Sequence, residues 1–157
     1  MSLLNLIWAL ILVIASQHAS AQKWRRADLT NYWSYPPCCD DPNYPDQSEC
    51  RDYSGCKYRG QFAFVSGTKS EAWVKANNII AIHHKDAGKY KLKTLELRAN
   101  GKTIKAKVYD ECNDKDCNNC CTKNSKRTKF LIDIERNTMK HFGGKGDGIV
   151  EWRCLDC

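Results

Sequence analysis

After residue 21 the sequence has no apolar run long enough to cross a bilayer, which takes about 20 residues, so no membrane span is expected. It has no internal repeat and no low-complexity tract, which excludes a solenoid or a purely disordered spacer. No Gly-x-Ser-x-Gly elbow, phosphate loop or His-Glu-x-x-His motif occurs, which argues against a serine or metal hydrolase. Histidines are few. His83 and His84 are neighbours that would point oppositely on a strand, and His141 falls in a helical stretch with no partner nearby. No metal and no cofactor are therefore expected. Acidic residues are outnumbered: 18 Asp and Glu against 25 Lys and Arg leave a formal charge of +7. No helical stretch carries a basic stripe, so nucleic acid is not an expected partner. Basic extracellular proteins tend to meet acidic polymers, and an acidic polysaccharide is one candidate.

What is present begins at the N-terminus. Leu3 to Ala15 is an apolar run broken only by Asn5, followed by polar Ser16, Gln17 and His18 and then Ala19-Ser20-Ala21. That order reads as a signal peptide over residues 1–21, although no Lys or Arg precedes the apolar run. The expected product is secreted and extracellular. All ten cysteines lie beyond it: Cys38, Cys39, Cys50, Cys56, Cys112, Cys117, Cys120, Cys121, Cys154 and Cys157. An even count in that context reads as a disulfide framework. Cys117-x-x-Cys120 also has zinc-ligand spacing, the competing reading. Adjacent pairs cannot close on themselves, because neighbouring Cα atoms lie about 3.8 Å apart. The connectivity is not legible.

Several segments alternate like strands: Arg26 to Trp33, Lys93 to Arg98, Thr103 to Asp110, Phe130 to Ile134 and Ile149 to Arg153. Ile79 to Ile82 reads as a buried strand. Asn100-Gly101 predicts a tight hairpin. Thr68-Lys69-Ser70-Glu71 reads as a capping box opening a helix to about Asn77. Asn137 to Phe142 reads as a second helix ended by Gly143-Gly144. Six short strands and two short helices point to a closed barrel or a sandwich. All four prolines and four cysteines crowd Pro36 to Gly60, a loop too long to be casual. Asp110 continues the phase of Ile104, Ala106 and Val108, and Asp133 sits between isoleucines. A carboxyl in an apolar register is a capped structural acceptor or a tuned acid. Trp33, Tyr35, Tyr44, Tyr53, Tyr58 and Trp73 offer flat rings suited to sugar faces or to a core.

Val108-Tyr109-Asp110-Glu111-Cys112, Leu131-Ile132-Asp133-Ile134, Phe142-Gly143 and Gly148-Ile149-Val150-Glu151-Trp152 follow one another in an order that resembles the double-psi β-barrel superfamily. That superfamily includes expansin N-terminal domains, rare-lipoprotein-A-like proteins, barwin, kiwellin and compact endoglucanases. The resemblance spans Ala27 to Trp152. It implies an all-β fold, a six-stranded double-psi β-barrel with short helices and disulfide-rich loops, with residues 22–157 as one domain. It also implies a surface groove for polysaccharide. Under it, Asp133 matches an expansin aspartate required for wall loosening and the endoglucanase general acid. Asp110 matches a second groove aspartate, and Thr30 a groove threonine. Thr30-Asn31-Tyr32-Trp33-Ser34 resembles the endoglucanase opening, but Ser34 stands where the catalytic base would be. Asp28, Asp40 and Asp41 are nearby acids that could replace it, and Cys112 stands where expansins carry an aromatic.

These residues together predict a monomeric, non-hydrolytic, expansin-like protein that binds a cell-wall type polysaccharide. Its groove would involve Thr30, Tyr32, Trp33, Tyr35, Asp110 and Asp133. One alternative is a polysaccharide-cleaving enzyme, of endoglucanase or lytic-transglycosylase type, with Asp133 as general acid and Asp110 as the second catalytic carboxyl. Another is a kiwellin-like defence or protease-inhibitor module that binds a secreted protein partner through the Pro36 to Gly60 loop.

Overall fold

The computed structural model describes residues 23–157; the signal-peptide reading of residues 1–21 lies outside the described residues. Six strands close into a barrel: β1 Arg25–Tyr32, β2 Ile79–His83, β3 Thr94–Ala99, β4 Lys102–Cys112, β5 Leu131–Glu135 and β6 Gly148–Cys154. Their order around the barrel is β1-β5-β2-β4-β3-β6, and β6 returns to pair with β1. The pairs β1–β5 and β2–β4 are parallel; the other four are antiparallel. Closure leaves no free sheet edge, which suits a small protein with short strands.

Alternation places one face of each strand inside. Ala27, Leu29, Ile80, Ile82, Leu95, Leu97, Val108, Ile132, Ile134 and Val150 fill the interior. One end of the core is sealed by aromatics. Phe130 stacks on Trp152 at 4.4 Å, and Tyr90 meets both rings edge-on. A second cluster of Phe62, Val74 and Ile79, with Trp73 and Tyr109 against it, packs outside the barrel. At the β3–β4 hairpin, Asn100 and Gly101 have φ of 51° and 74°, the left-handed geometry a two-residue turn requires.

Helices are more numerous than the two expected: α1 Ser48–Arg51, α2 Glu71–Ala76, α3 His84–Tyr90, α4 Cys120–Asn124 and α5 Arg136–His141. The α2 cap is Ser70 rather than Thr68; its hydroxyl accepts from the Trp73 amide at 3.2 Å. His84 opens α3 instead of continuing β2, so the strand argument for opposed histidines does not apply. His83 is buried, with Nε2 3.0 Å from Thr122 Oγ1, while His84 is exposed and pairs with Glu111 at 2.8 Å. His141 does have a partner, the Asn78 side chain at 2.9 Å. Among the described residues no helix is long and apolar enough to cross a membrane.

All ten cysteines pair: Cys38–Cys50, Cys39–Cys56, Cys112–Cys121, Cys117–Cys120 and Cys154–Cys157. The sulfurs of Cys112, Cys117, Cys120 and Cys121 cluster as zinc ligands would, but they are bonded two by two.

Asp28 lies on β1, fully buried. Its carboxylate accepts from Arg127 Nε at 2.6 Å and from the Thr128 amide and hydroxyl at 2.9 Å each. Burial works to raise its pKa, but these donors together outweigh burial and hold it below the usual 3.8. Removing a buried, paired charge strands its donors. Because Arg127 is 60% exposed and stays hydrated, the loss falls on the Thr128 donors, and Asp28→Ala is expected to cost about 1–3 kcal/mol of unfolding free energy in urea at pH 7. Because the folded pKa is depressed, the difference from wild type should narrow as pH falls below about 4, when the unfolded chain takes up the proton first.

Candidate functional site

Four strands carry a row of side chains on the outside of the barrel. Thr30 on β1 pairs with Asp133 on β5, Asp133 with Ala81 on β2, and Ala81 with Asp110 on β4. Two strand spacings separate the aspartates, so their Cα atoms lie about 9–10 Å apart. The Ala81 methyl between them forms a low floor. Asp133 faces outward because its neighbours Ile132 and Ile134 face inward.

Asp110 reaches this row by a different route from the one its phase implies. Ile80 pairs with Val108, but the next residue, Ala81, pairs with Asp110. Tyr109 is thus an extra residue, a bulge that reverses the alternation. Without it Asp110 would share the interior face of Val108, as the sequence pattern implies; with it, Asp110 joins Asp133 outside.

The row is the floor of a groove of about 570 Å³. One wall is the loop after β1. Cys38–Cys50 and Cys39–Cys56 fold this loop back on itself and carry Glu49, next to Cys50, to the groove. Gly55 packs tightly there: its amide donates to the Glu49 carbonyl at 2.8 Å, and a Cβ would approach that oxygen to 2.9 Å. The facing wall holds Asn113, Asp116 and the Cys117–Cys120 bridge. Tyr58 spans the two walls, donating to Asp116 Oδ1 at 3.0 Å. The loop stands beside the groove and leaves it open, and exposed Tyr53 and Tyr58 line it.

Burial shapes the chemistry of three carboxyls. Asp133 is pushed up to about 7 by desolvation, against the Thr30 hydroxyl that donates to its Oδ1 at 2.7 Å. Asp110 is raised to about 6 by desolvation, opposed by the Ala63 and Glu111 amides, which both donate to its Oδ1 at 2.9 Å. Glu49 is raised to about 7, by desolvation first and then by the negative charge of Asp133. Tyr32 lines the groove with its buried hydroxyl beside the Asp110 carboxyl, though among the described residues it completes no well-formed hydrogen bond; burial first, then the charges of Asp110, Glu135 and Asp133, raise its pKa well above 10.

Thr30, Tyr32, Trp33, Asp110 and Asp133 therefore come together. Trp33 is half-buried, with the Arg136 guanidinium 4.6 Å from its ring centre. Tyr35 does not join them: its hydroxyl donates to the Lys69 carbonyl, and its ring belongs to the second cluster beneath Arg59. Ser34 is buried in the groove wall and is no base. None of the acids expected to replace it lines the groove. Asp28 is held by Arg127, Asp40 pairs with Arg59 at 2.6 Å, and Asp41 caps the Asn43 amide. Glu49 is the acid the sequence reading missed. Its one sequence signal was adjacency to Cys50 in the proline-rich loop. No protein-family model matches the chain, and no curated protein matches it.

A carboxyl whose folded pKa is raised lowers stability as pH climbs from about 4 toward its folded value, because the folded state resists ionising. Asp133→Asn keeps an acceptor for Thr30 and removes the charge. It is expected to raise the melting temperature by about 3–6 °C at pH 8 and to leave it unchanged at pH 4. Calorimetry at the two pH values checks this.

Proposed function

We propose that the protein is an extracellular, expansin-like barrel of double-psi type whose groove binds a structural polysaccharide. The observation that carries this reading is the groove itself: a row of hydrogen-bonding side chains, Thr30, Asp133 and Asp110, flanked by exposed tyrosine rings and Trp33. Sugars need both features, since hydroxyls take directed hydrogen bonds and ring faces stack on aromatics. The double-psi assignment draws support from the closed six-stranded barrel and from its two parallel pairs set side by side, β5 against β2. Five disulfides and the absence, among the described residues, of a membrane-spanning helix fit an oxidising, extracellular setting. The protein-binding alternative would gain if the loop filled the groove; the loop lines one side of it and leaves the groove to a polymer.

The groove also narrows the class of polymer. Glu49, Asp110, Glu111, Asp116, Asp133 and Asp147 line it, and among the described residues no Lys or Arg does, although Arg136, Lys57 and Lys145 stand at its rim beside Trp33, Tyr58 and Asp147. The chain is basic overall, yet this surface repels polyanions. The polymer that fits is neutral or carries amino groups, rather than the acidic polysaccharide that net charge alone suggests.

Pull-down on cellulose, chitin, chitosan, peptidoglycan and pectin in about 0.15 M salt tests the reading, since salt at that level screens exposed charge beyond about 8 Å. Retention is expected on a neutral or amino-bearing polymer. Replacing both Tyr53 and Tyr58 by alanine should weaken it about tenfold, or about 1.4 kcal/mol. Retention on pectin alone, or on none of the five, would overturn it.

A further inference from the structure

We propose that the protein carries a second binding site, a pocket of arginine and lysine that takes the sulfate or carboxylate groups of an acidic polysaccharide. The site is separate from the groove, and neither reading depends on the other. The pocket, of about 580 Å³, is lined by four cations, Arg25, Arg26, Arg127 and Lys129, together with Phe130 and Trp152 of the aromatic seal. Arg25 and Arg26 open β1, and Arg127 and Lys129 lie just before β5, which runs parallel to it. Among the described residues no carboxylate lines the pocket.

Two of the cations are held in place. Arg127 donates from Nε to Asp28 at 2.6 Å and from Nη2 to the Gly148 carbonyl at 2.7 Å, which leaves Nη1 uncommitted. Arg25 donates from Nη1 to the Tyr90 hydroxyl at 3.0 Å and lies 5.5 Å from the Trp152 ring centre, which leaves Nε and Nη2. A guanidinium fixed by some of its N–H groups offers the others with little further loss of freedom. Arg26 and Lys129 are exposed, and among the described residues their side chains make no hydrogen bond or ion pair. Lys85 adds a further positive charge, its Nζ donating to the Lys129 carbonyl at 2.9 Å. The Trp152 indole N–H is buried without a partner among the described residues. The unpartnered polar groups of the lining residues are thus all donors. The ligand that matches is an acceptor with no donor of its own, an oxyanion. Two carboxylates lie near, and each has its own arginine: Asp28 has Arg127, and Glu151, opposite Arg26 on β6, accepts from Arg98 at 2.8 Å.

A polysaccharide fits this pocket better than other polyanions. A membrane surface is held by apolar side chains that insert, and a nucleic acid strand by exposed rings on which bases stack. The rings here are committed inward: Trp152 is 2% exposed and stacks on Phe130. Repeated sulfates or carboxylates need only the charges. Arg26 precedes Thr30 by four residues on β1, a distance of about 13 Å, and both take the outer phase because Ala27 and Leu29 fill the interior. The acidic polymer that net charge suggests thus has a place outside the groove, whose own acids repel it.

The test measures binding of the full chain to soluble polygalacturonate and dextran sulfate in about 0.15 M salt, beside phosphatidylserine-containing vesicles and duplex DNA at equal anionic charge. Wild type is expected to bind one or both polysaccharides more tightly than vesicles or DNA. Arg26→Gln with Lys129→Gln should weaken that binding about tenfold, while Lys105→Gln with Lys140→Gln, which removes the same charge from exposed positions on β4 and α5, should change it by less than about twofold. Replacing Tyr53 and Tyr58 by alanine should leave it unchanged, which separates this site from the groove. Equal weakening by the two charge-removing pairs would mean that net charge alone is at work and would overturn the site. Tighter binding to vesicles or DNA, or none to either polysaccharide, would overturn the proposal and leave the groove reading standing.

Discussion

A closed barrel lets each strand show only every second residue to the outside, and that constraint governs everything the groove can hold. The interior takes Ile80, Ile82, Ile132, Ile134 and Val108; the exterior takes what lies between them. Asp133 falls on the outside by simple alternation. Asp110 does so only because Tyr109 is inserted between it and Val108 in the pairing with β2. A single extra residue decides whether a carboxyl is lost against the core or stands level with Asp133 across Ala81. The same bulge presents Tyr109 to the outer cluster around Trp73, where their rings lie 5.4 Å apart. Floor and outer packing thus share one origin.

On that floor the disulfides build the walls. Cys38–Cys50 and Cys39–Cys56 close loops of 12 and 17 residues, and Cys112–Cys121 closes one of 9. Loops of that size, rich in Pro and polar residues, have little core to hold them. A bridge restricting the unfolded chain contributes about 2–4 kcal/mol. Here the bridges do more than stabilise: they place Glu49 over the barrel and the Asp116 turn opposite it, and Tyr58 joins the two. Charge is sorted by the same scaffold. Glu49, Asp110 and Asp133 are desolvated on the floor and wall, while Arg136, Lys57 and Lys145 stand at the rim against Trp33, Tyr58 and Asp147.

Much of the barrel was legible in the sequence. The β3–β4 hairpin followed from Asn100-Gly101, the buried β2 from Ile79 to Ile82, and the end of α5 from Gly143-Gly144. The outward row was only half legible. Asp133 between isoleucines is unambiguous, but an aspartate two residues after Val108 reads as the inner phase unless the bulge is known, and a bulge leaves no trace in periodicity. Strand order was not legible, because insertion of β5 between β1 and β2 is a long-range choice. α3 was hidden because His84 follows a strand without a break and its cap is the His83 side chain, which accepts from the Lys85 amide at 3.3 Å. Glu49 was illegible for a related reason: its position depends on which cysteine Cys50 finds, and connectivity is not local information. Tyr35 was expected in the groove as a ring suited to sugar faces, yet its hydroxyl is committed to Lys69.

Glu49, Asp110 and Asp133 share one desolvated groove, where the charge of Asp133 acts on Glu49 and that of Asp110 acts on Asp133. Carboxyl carbon-13 NMR titration of the labelled protein tests this directly. Asp133 and Glu49 should show midpoints near 7 and Asp110 near 6, and Glu49→Gln should move the Asp133 midpoint. Asp133 and Glu49 each titrating independently near 4, with no response of one to loss of the other, would contradict the account.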